Sequence, residues 1–435
     1  MKRIVILIAI ILINIMSQQV YATNSETMPD IDLIGEGAVL IEKESEKVLF
    51  EKNMNQKMYP ASTTKIMTAI IALEYGNLDE VVRVGNEIDE IPWYSNSANL
   101  VEGDEITLHD LLYGLLLPSG NDAANTIAVH ISKKTIGAED ITLEEGHRVF
   151  SNLMNEKAKE IGANNTNFVN PHGFHHEEQY TSPWDMAIIG KYAMESDVFS
   201  EIVRTPKAIH YKDQVWETTN HLLLEDNENY YPYVTGVKTG NTAASGKCLV
   251  STASKDNLDL ISVVLKSTDG DIWPDTISLF NYGFDNFNNH LLIDEGEIVE
   301  TINLRVDENN EVESLEIKAE SRLEHFMPFK DIEKIEKEII ISDIYFEENL
   351  EDDRLILLQD INQGDQVASI RFMADGELIG EGALVSNEDV RMLEIIEENE
   401  VSENISLIGI TIIVLIIIYI IQDSLKRRKK SEFYD

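Results

Sequence analysis

A hydroxyl and an amine three residues apart, in Ser62-Thr63-Thr64-Lys65, constrain this chain more than any other feature. On a helix, positions i and i+3 share a face, so the two side chains can act as one group. Two more short motifs follow in order, Ser119-Gly120-Asn121 and Lys238-Thr239-Gly240. Each alone arises by chance in a chain of 435 residues. The ordered set, with helix or strand context around each member, calls for a fold that brings a helix N-terminus, an interhelical turn and a strand end to one place.

The chemistry of such a meeting point is acyl transfer to serine. A serine hydroxyl attacks a carbonyl poorly unless a neighbouring base takes its proton. Lys65 can do so only as a neutral amine, which requires burial or a nearby positive charge such as Lys238. A helix N-terminus adds free N–H groups and partial positive charge, so the N–H of Ser62 can donate to a developing oxyanion. Ser119 and Asn121 follow Pro118 on a turn, where a hydroxyl and an amide can reach Lys65 and a substrate backbone. Read alone, Ser-Gly-Asn-Asp is also an ordinary turn and N-cap sequence. Thr239 and Lys238 offer a hydroxyl and a charge to a substrate carboxylate. Gly240 removes side-chain bulk where a ligand must approach, and the N–H of Asn241 is placed to be a second oxyanion donor.

Other chemistries fit less well. His172, His175 and His176 cluster around Pro171 and Gly173, but no metal-ligand spacing such as His-Glu-x-x-His accompanies them; the sequence implies no metal and no cofactor. The single cysteine, Cys248, lies in an apolar stretch and reads as a buried small hydrophobe. A formal net charge of −43 argues against nucleic acid as a partner. Of that imbalance, Leu291–Asn404 contributes 33 acidic against 9 basic residues, a net of −24.

Both ends read as membrane-related. Met1–Ala22 has a basic start, an apolar run Ile4–Ile15 and the small-x-small pattern Val20-Tyr21-Ala22, which predicts a signal peptide with Thr23 as the new N-terminus. An uncleaved anchor is the alternative, although the run is short for a span. Ile405–Ile421 is uncharged and precedes Lys426–Lys430, a basic cluster of the kind that stays cytoplasmic. That pattern predicts one C-terminal transmembrane helix with the rest of the chain exported, on the cell-wall side of the membrane.

Between the ends, Ala38–Glu42 and Lys47–Lys52 read as a hairpin, Pro60 and Ala61 open a helix ending near Gly76, and Leu108–Leu117, Asp122–Lys134 and Glu145–Ile161 follow as helices. Val234–Lys238, Lys247–Ala253 and Asp259–Lys266 read as successive strands. Helices first and strands from both ends give an α+β domain. Gln366–Met373 and Leu378–Val385 flank Ala374-Asp375-Gly376-Glu377, a hairpin signal in a mostly β region. The expected layout is 1–22 signal peptide, 23–285 catalytic domain, 286–390 small β-rich domain, 391–404 acidic linker, 405–421 transmembrane helix and 422–435 basic tail.

Four segments, Tyr59–Ala69, Pro118–Ala124, Asn170–Gly173 and Gly236–Thr242, closely resemble the low-molecular-mass penicillin-binding proteins, the serine-type D-alanyl-D-alanine carboxypeptidases. The resemblance spans about Ile31–Phe284. It implies a β-lactamase/transpeptidase-like domain of helices around an antiparallel sheet, with Ser62 as acylated nucleophile and Lys65 as general base. It further implies Ser119 and Asn121 as the second motif, and Lys238 and Thr239 as ligands of the terminal carboxylate. Peptidoglycan stem peptides are the implied substrates and β-lactam antibiotics the acylating mimics. The basic residue that often follows the third motif has no clear match, and Lys266 is a possible stand-in. Two rivals share the motifs. A β-lactamase would need a deacylating base, for which Glu160 in Glu160–Asn164 is the candidate, although it also reads as an exposed helix end. A non-catalytic penicillin-binding receptor would need an output domain.

Overall fold

The computed structural model describes residues 31–209, 211–306, 312–348, 354–392 and 412–422. Two compact units are distinguished, one comprising residues up to Asn289 together with Phe326–Lys330, the other His290–His325 and residues from Asp331 onward.

The first unit is organised by strand β1 (Gly37–Glu42), every residue of which is buried. Its side chains alternate by the period of two that a pleated strand imposes. Ala38 and Leu40 enter one core, and Val39 and Ile41 enter the other. Together with β2 (Val48–Lys52), β3 (Val234–Thr242), β4 (Gly246–Lys255) and β5 (Leu258–Ser267), β1 forms a five-stranded sheet of order β2-β1-β5-β4-β3. All four pairings are antiparallel. Both faces are covered, so the strands are apolar on both sides rather than alternating with polar residues.

On one face lie α1 (Lys65–Tyr75), α2 (Leu108–Leu116), α3 (Asn121–Ile136), α4 (Leu143–Glu160), α5 (Pro183–Met194) and α6 (Asp197–Arg204). On the other face α7 (Ile272–Asn286) packs Leu279, Phe280 and Phe284 against Leu40, Leu249 and Leu260. Helix starts are set by local chemistry: Thr107, Thr142 and Ser182 each accept a hydrogen bond from the N–H three residues on, as N-cap residues do. The expected α+β arrangement of helices around an antiparallel sheet is thus present, and Cys248 is a buried member of its core.

The helix expected from Pro60 begins differently. Ala61–Thr64 is a 3₁₀ turn, and α1 starts only at Lys65. Three residues per turn makes positions i and i+3 eclipse, which places Ser62 directly beneath Lys65.

The second unit is a seven-stranded sheet. Its strands are β6 (Ile298–Arg305), β7 (Val312–Ala319), β8 (Ile335–Ile341), β9 (Phe346–Glu348), β10 (Leu355–Leu357), β11 (Gln366–Ala374) and β12 (Glu377–Ser386), in the order β8-β11-β12-β7-β6-β10-β9. The β11–β12 hairpin falls where the sequence places it. Asp375 and Gly376 have φ of 51° and 82°, the paired positive values a two-residue turn between twisted strands requires.

The expected C-terminal transmembrane helix is overturned. Among the described residues no helix is long and apolar enough to cross a membrane. Residues 412–422 are helical, and at about 1.5 Å per residue they reach roughly 16 Å, half of a ~30 Å hydrocarbon core. The leader Met1–Ala22, residues 405–411 and the basic tail from Asp423 lie outside the described residues, as does most of the acidic linker.

One buried carboxylate ties the start of β1 and the end of β5 to α7. Asp275 on α7 accepts from the N–H groups of Ile34 and Gly35 at 3.0 and 2.9 Å and from Ser267 Oγ at 2.8 Å. Replacing it with alanine leaves three donors without their partner, two of them backbone. Asp275→Ala is expected to lower the unfolding free energy of this unit by about 3 kcal/mol. An unchanged denaturation midpoint in urea sinks that assignment.

Candidate active site

The three motifs converge on the 3₁₀ turn. Lys65 is wholly buried, and its Nζ lies 3.0 Å from Ser62 Oγ, 2.7 Å from Asn121 Oδ1 and 2.7 Å from the carbonyl oxygen of His172. Asn121 Oδ1 and the His172 carbonyl only accept hydrogen bonds. A neutral amine has two N–H bonds, and those acceptors take both, leaving its lone pair toward the Ser62 hydroxyl. The electrostatics agree: burial holds the Lys65 pKa well below its ordinary value, and the charge on Lys238 pushes it further, while Asp122 opposes both.

Asp122 explains how the second motif is held. Its carboxylate accepts from Ser97 Oγ at 2.6 Å and from the N–H groups of Ala98, Leu100 and Ala123 at 2.8, 3.0 and 2.9 Å. The alternative reading of Ser-Gly-Asn as a simple helix cap does not hold: the N-cap of α3 is Gly120, with no side-chain cap. Ser119 instead sits at φ 64° and lines the same cleft as Ser62.

Lys238 is also buried, which pulls its pKa down to about 7. Its Nζ donates to the carbonyl of Thr239 at 3.1 Å and lies 3.5 Å from Thr219 Oγ1. The hydroxyls of Thr219 and Thr239 are 2.6 Å apart. Together with Gly240 and Asn241 they line a cleft of about 380 Å³, closed at its far end by Lys247, Asp269, His221 and Trp273.

Several expectations are refined here. Gly240 is small for a reason other than ligand access: a Cβ there would lie 2.9 Å from the carbonyl of Pro60 and 3.0 Å from the Ser62 nitrogen. The missing side chain lets the strand abut the nucleophile's own turn. Lys266 is not the missing basic residue. It occupies the β4–β5 bulge and its ammonium pairs with Glu36 at 2.8 Å, whereas the cleft's basic groups are His221, stacked on Trp273 at 4.7 Å, and Lys247, paired with Asp269 at 2.6 Å. Glu160 ends α4 with its side chain 65% exposed and bound to Lys157 at 2.8 Å, and it does not line the cleft.

The sequence reading missed the structural weight of Asn170–Gly173. Besides the His172 carbonyl, Pro171 O accepts from Thr68 Oγ1 at 2.6 Å, and Asn170 Oδ1 accepts from the N–H of Gly173 at 2.7 Å. Gly173 has φ +90°, and a Cβ on it would stand 1.9 Å from the Ala61 carbonyl oxygen. The histidines serve packing: the His172 ring is buried, its pKa depressed by burial and then by Lys65 and His147. His175 meets Tyr59 edge-on at 4.6 Å.

Comparison with known proteins agrees with this geometry. A family model described as D-alanyl-D-alanine carboxypeptidase, peptidase S11, matches residues 22–269. The D-alanyl-D-alanine carboxypeptidase DacF of Bacillus subtilis is 29% identical over 401 residues, 90% of this chain and 95% of that one. DacC of Escherichia coli is 32% identical over 261 residues, 57% of this chain and 60% of that one. Penicillin binding protein 5 from Haemophilus influenzae superposes with a TM-score of 0.58 at 25% identity, over 83% of this chain and 99% of that one. The Streptomyces K15 DD-transpeptidase superposes with a TM-score of 0.54 at 29% identity, over 59% of this chain and 99% of that one. Fold and site define a penicillin-binding serine peptidase of low molecular mass. The chain belongs to the D-alanyl-D-alanine carboxypeptidase family of peptidase S11, and its activity is that of a serine-type DD-carboxypeptidase.

Two outcomes test the geometry. Gly173→Ala forces a Cβ into the turn that carries Ser62, so penicillin acylation is expected to fall at least about a hundredfold, since an ångström of misplacement has that effect; wild-type acylation rates refute it. Glu160→Ala is expected to leave the lifetime of a penicilloyl adduct unchanged, because Glu160 is exposed and engaged by Lys157. A marked lengthening reopens the β-lactamase reading.

Proposed function

We propose that the chain removes the terminal D-alanine from peptidoglycan stem pentapeptides through an acyl-enzyme on Ser62. The observation that carries this reading is the buried Lys65 amine, held by Asn121 and the His172 carbonyl 3.0 Å from the Ser62 hydroxyl. Ser62 Oγ attacks the carbonyl of the penultimate D-alanine while Lys65 takes the hydroxyl proton. The Ser62 and Asn241 N–H groups receive the oxyanion; Gly240, abutting the Ser62 nitrogen, brings the two strands of backbone together. The Ser119 hydroxyl relays a proton to the departing D-alanine amine. Water then attacks the ester, with Lys65 again as base.

Lys238, Thr239 and Thr219 form the seat for the terminal carboxylate, with His221 beyond them. β-Lactams present a carboxylate beside a strained acyl bond and acylate Ser62 in the same pose. The leader-like Met1–Ala22 supports a site of action outside the cytoplasmic membrane, where stem peptides are found.

The test is release of D-alanine from a diacyl-Lys-D-Ala-D-Ala peptide together with covalent labelling by penicillin. Ser62→Ala is expected to abolish both and Lys65→Ala to reduce both by about 10²–10⁴-fold. A penicillin label mapped to any other residue overturns the assignment.

The rate also has a defined pH dependence. Turnover needs Lys65 neutral and Lys238 charged, so kcat/KM climbs as Lys65 loses its proton and falls as Lys238 loses its own near pH 7. A bound carboxylate stabilises the Lys238 ammonium, so the falling limb of kcat is expected at higher pH than that of kcat/KM. A kcat/KM that stays flat from pH 7 to well above it rules out Lys238 as the carboxylate's charged partner.

A further inference from the structure

Among the described residues, the most exposed large apolar side chain is Trp93, 93% accessible, and its neighbour Tyr94 is 76% accessible. Large aromatic side chains held in water are the surface feature that most often marks a binding site. These two are held firmly. They occupy the central positions of a turn closed by Ser95, whose N–H and Oγ both donate to the Pro92 carbonyl at 2.9 and 2.8 Å. Their rings stand at 85° with centroids 5.8 Å apart. Just beyond the turn the chain is locked to the second motif. The Asn96 carbonyl accepts from the N–H of Asn121 at 3.0 Å, Asn96 Nδ2 donates to Pro118 O at 2.8 Å, and Asp122 grips Ser97, Ala98 and Leu100.

The same stretch of chain joins two clefts. Asn96 lines the catalytic cleft. Glu90 lines a second, larger one of about 750 Å³, with Glu144, Arg148, Ser151 and Asn152. The Ser151 hydroxyl is buried there without a hydrogen-bond partner. Trp93 and Tyr94 thus lie between a residue of each cleft, Tyr94 two residues from Asn96 of the catalytic cleft and Trp93 three from Glu90 of the other.

We propose that Trp93 and Tyr94 form a stacking platform for the sugar strand of peptidoglycan, which docks there while the attached stem peptide enters the catalytic cleft. The proposal rests on the carboxypeptidase reading. Aromatic faces suit the apolar C–H faces of sugar rings. The flanking carboxylates Asp89 and Glu90 disfavour an anionic polymer and leave an uncharged N-acetylated sugar strand acceptable.

The test uses the full chain and the Trp93→Ala/Tyr94→Ala double variant, whose replaced side chains are exposed; a thermal melt checks that it folds as the wild type does. Co-sedimentation with insoluble chitin, an uncharged N-acetylated sugar strand that carries no peptide, reads docking without any catalytic event. Loss of two contact aromatics is expected to weaken that association about tenfold. A second readout is the ratio of kcat/KM on pentapeptide-bearing peptidoglycan to that on soluble diacyl-Lys-D-Ala-D-Ala, which is expected to fall by about the same factor. Equal sedimentation of the two proteins, an unchanged ratio, or binding of the wild type to phospholipid vesicles but not to chitin overturns the proposal. Failure to release D-alanine from either substrate by the wild type refutes the carboxypeptidase reading instead, and the sedimentation result still decides the platform.

Discussion

The structure turns on one buried amine. Lys65 is taken out of water with no carboxylate bound to it, and the cost of a lone buried ammonium holds its pKa well below the ordinary lysine value. The nearest acid, Asp122, does not prevent this. Its oxygens are committed to three N–H groups and the Ser97 hydroxyl, so it opposes the shift through its charge alone. Lys238, the second buried amine, adds repulsion. The polar partners left to Lys65 are two acceptors and the serine it activates. Burial and the second amine favour the protonation state that a general base requires, and they outweigh the opposing charge of Asp122.

Two glycines set the distances on which that chemistry depends. Gly173 and Gly240 come from segments far apart in sequence, yet both abut the backbone of Pro60–Ser62. Neither position has room for a Cβ: one would overlap the Ala61 carbonyl, the other would crowd the Ser62 nitrogen. Ser62 is therefore clamped between a strand end and a turn, each at backbone contact. The 3₁₀ geometry of Ala61–Thr64 then fixes its hydroxyl below Lys65. Positioning of this kind converts an encounter into an intramolecular reaction.

Much of this was legible in the sequence because it is written in local patterns. The sheet strands of the first unit, the helices after Thr107 and Thr142, and the Asp375-Gly376 hairpin follow from period, capping and turn chemistry. The three motifs named the residues that meet. What the sequence did not carry is the work done by backbone. The His172 carbonyl as a partner of Lys65 has no side-chain signature; the strained turn of Gly173, within a motif already noticed, was the available clue. Lys266 misled for a related reason. A bulge between Lys247 and Leu249 shifts the β4–β5 register, and a bulge re-aims side chains, turning Lys266 toward Glu36. For the apolar run Ile405–Ile421, hydropathy measures composition alone, and among the described residues the helix there covers 412–422.

The distribution of charge bears on how a carboxylate substrate is recognised at all. With a net charge of −43, the chain as a whole repels the anionic end of its ligand. At physiological ionic strength that repulsion is screened beyond about 8 Å, so recognition is decided inside the cleft. There Lys247 is already neutralised by Asp269. Lys238 keeps its Nζ against a carbonyl and hydroxyls rather than a carboxylate. It is consequently the group that gains most when a carboxylate arrives, and that arrival raises its pKa. The carboxylate's own charge offsets that of Lys238, so in the complex it is burial, the largest cause of the lowered Lys65 pKa, that keeps the base suited to its task.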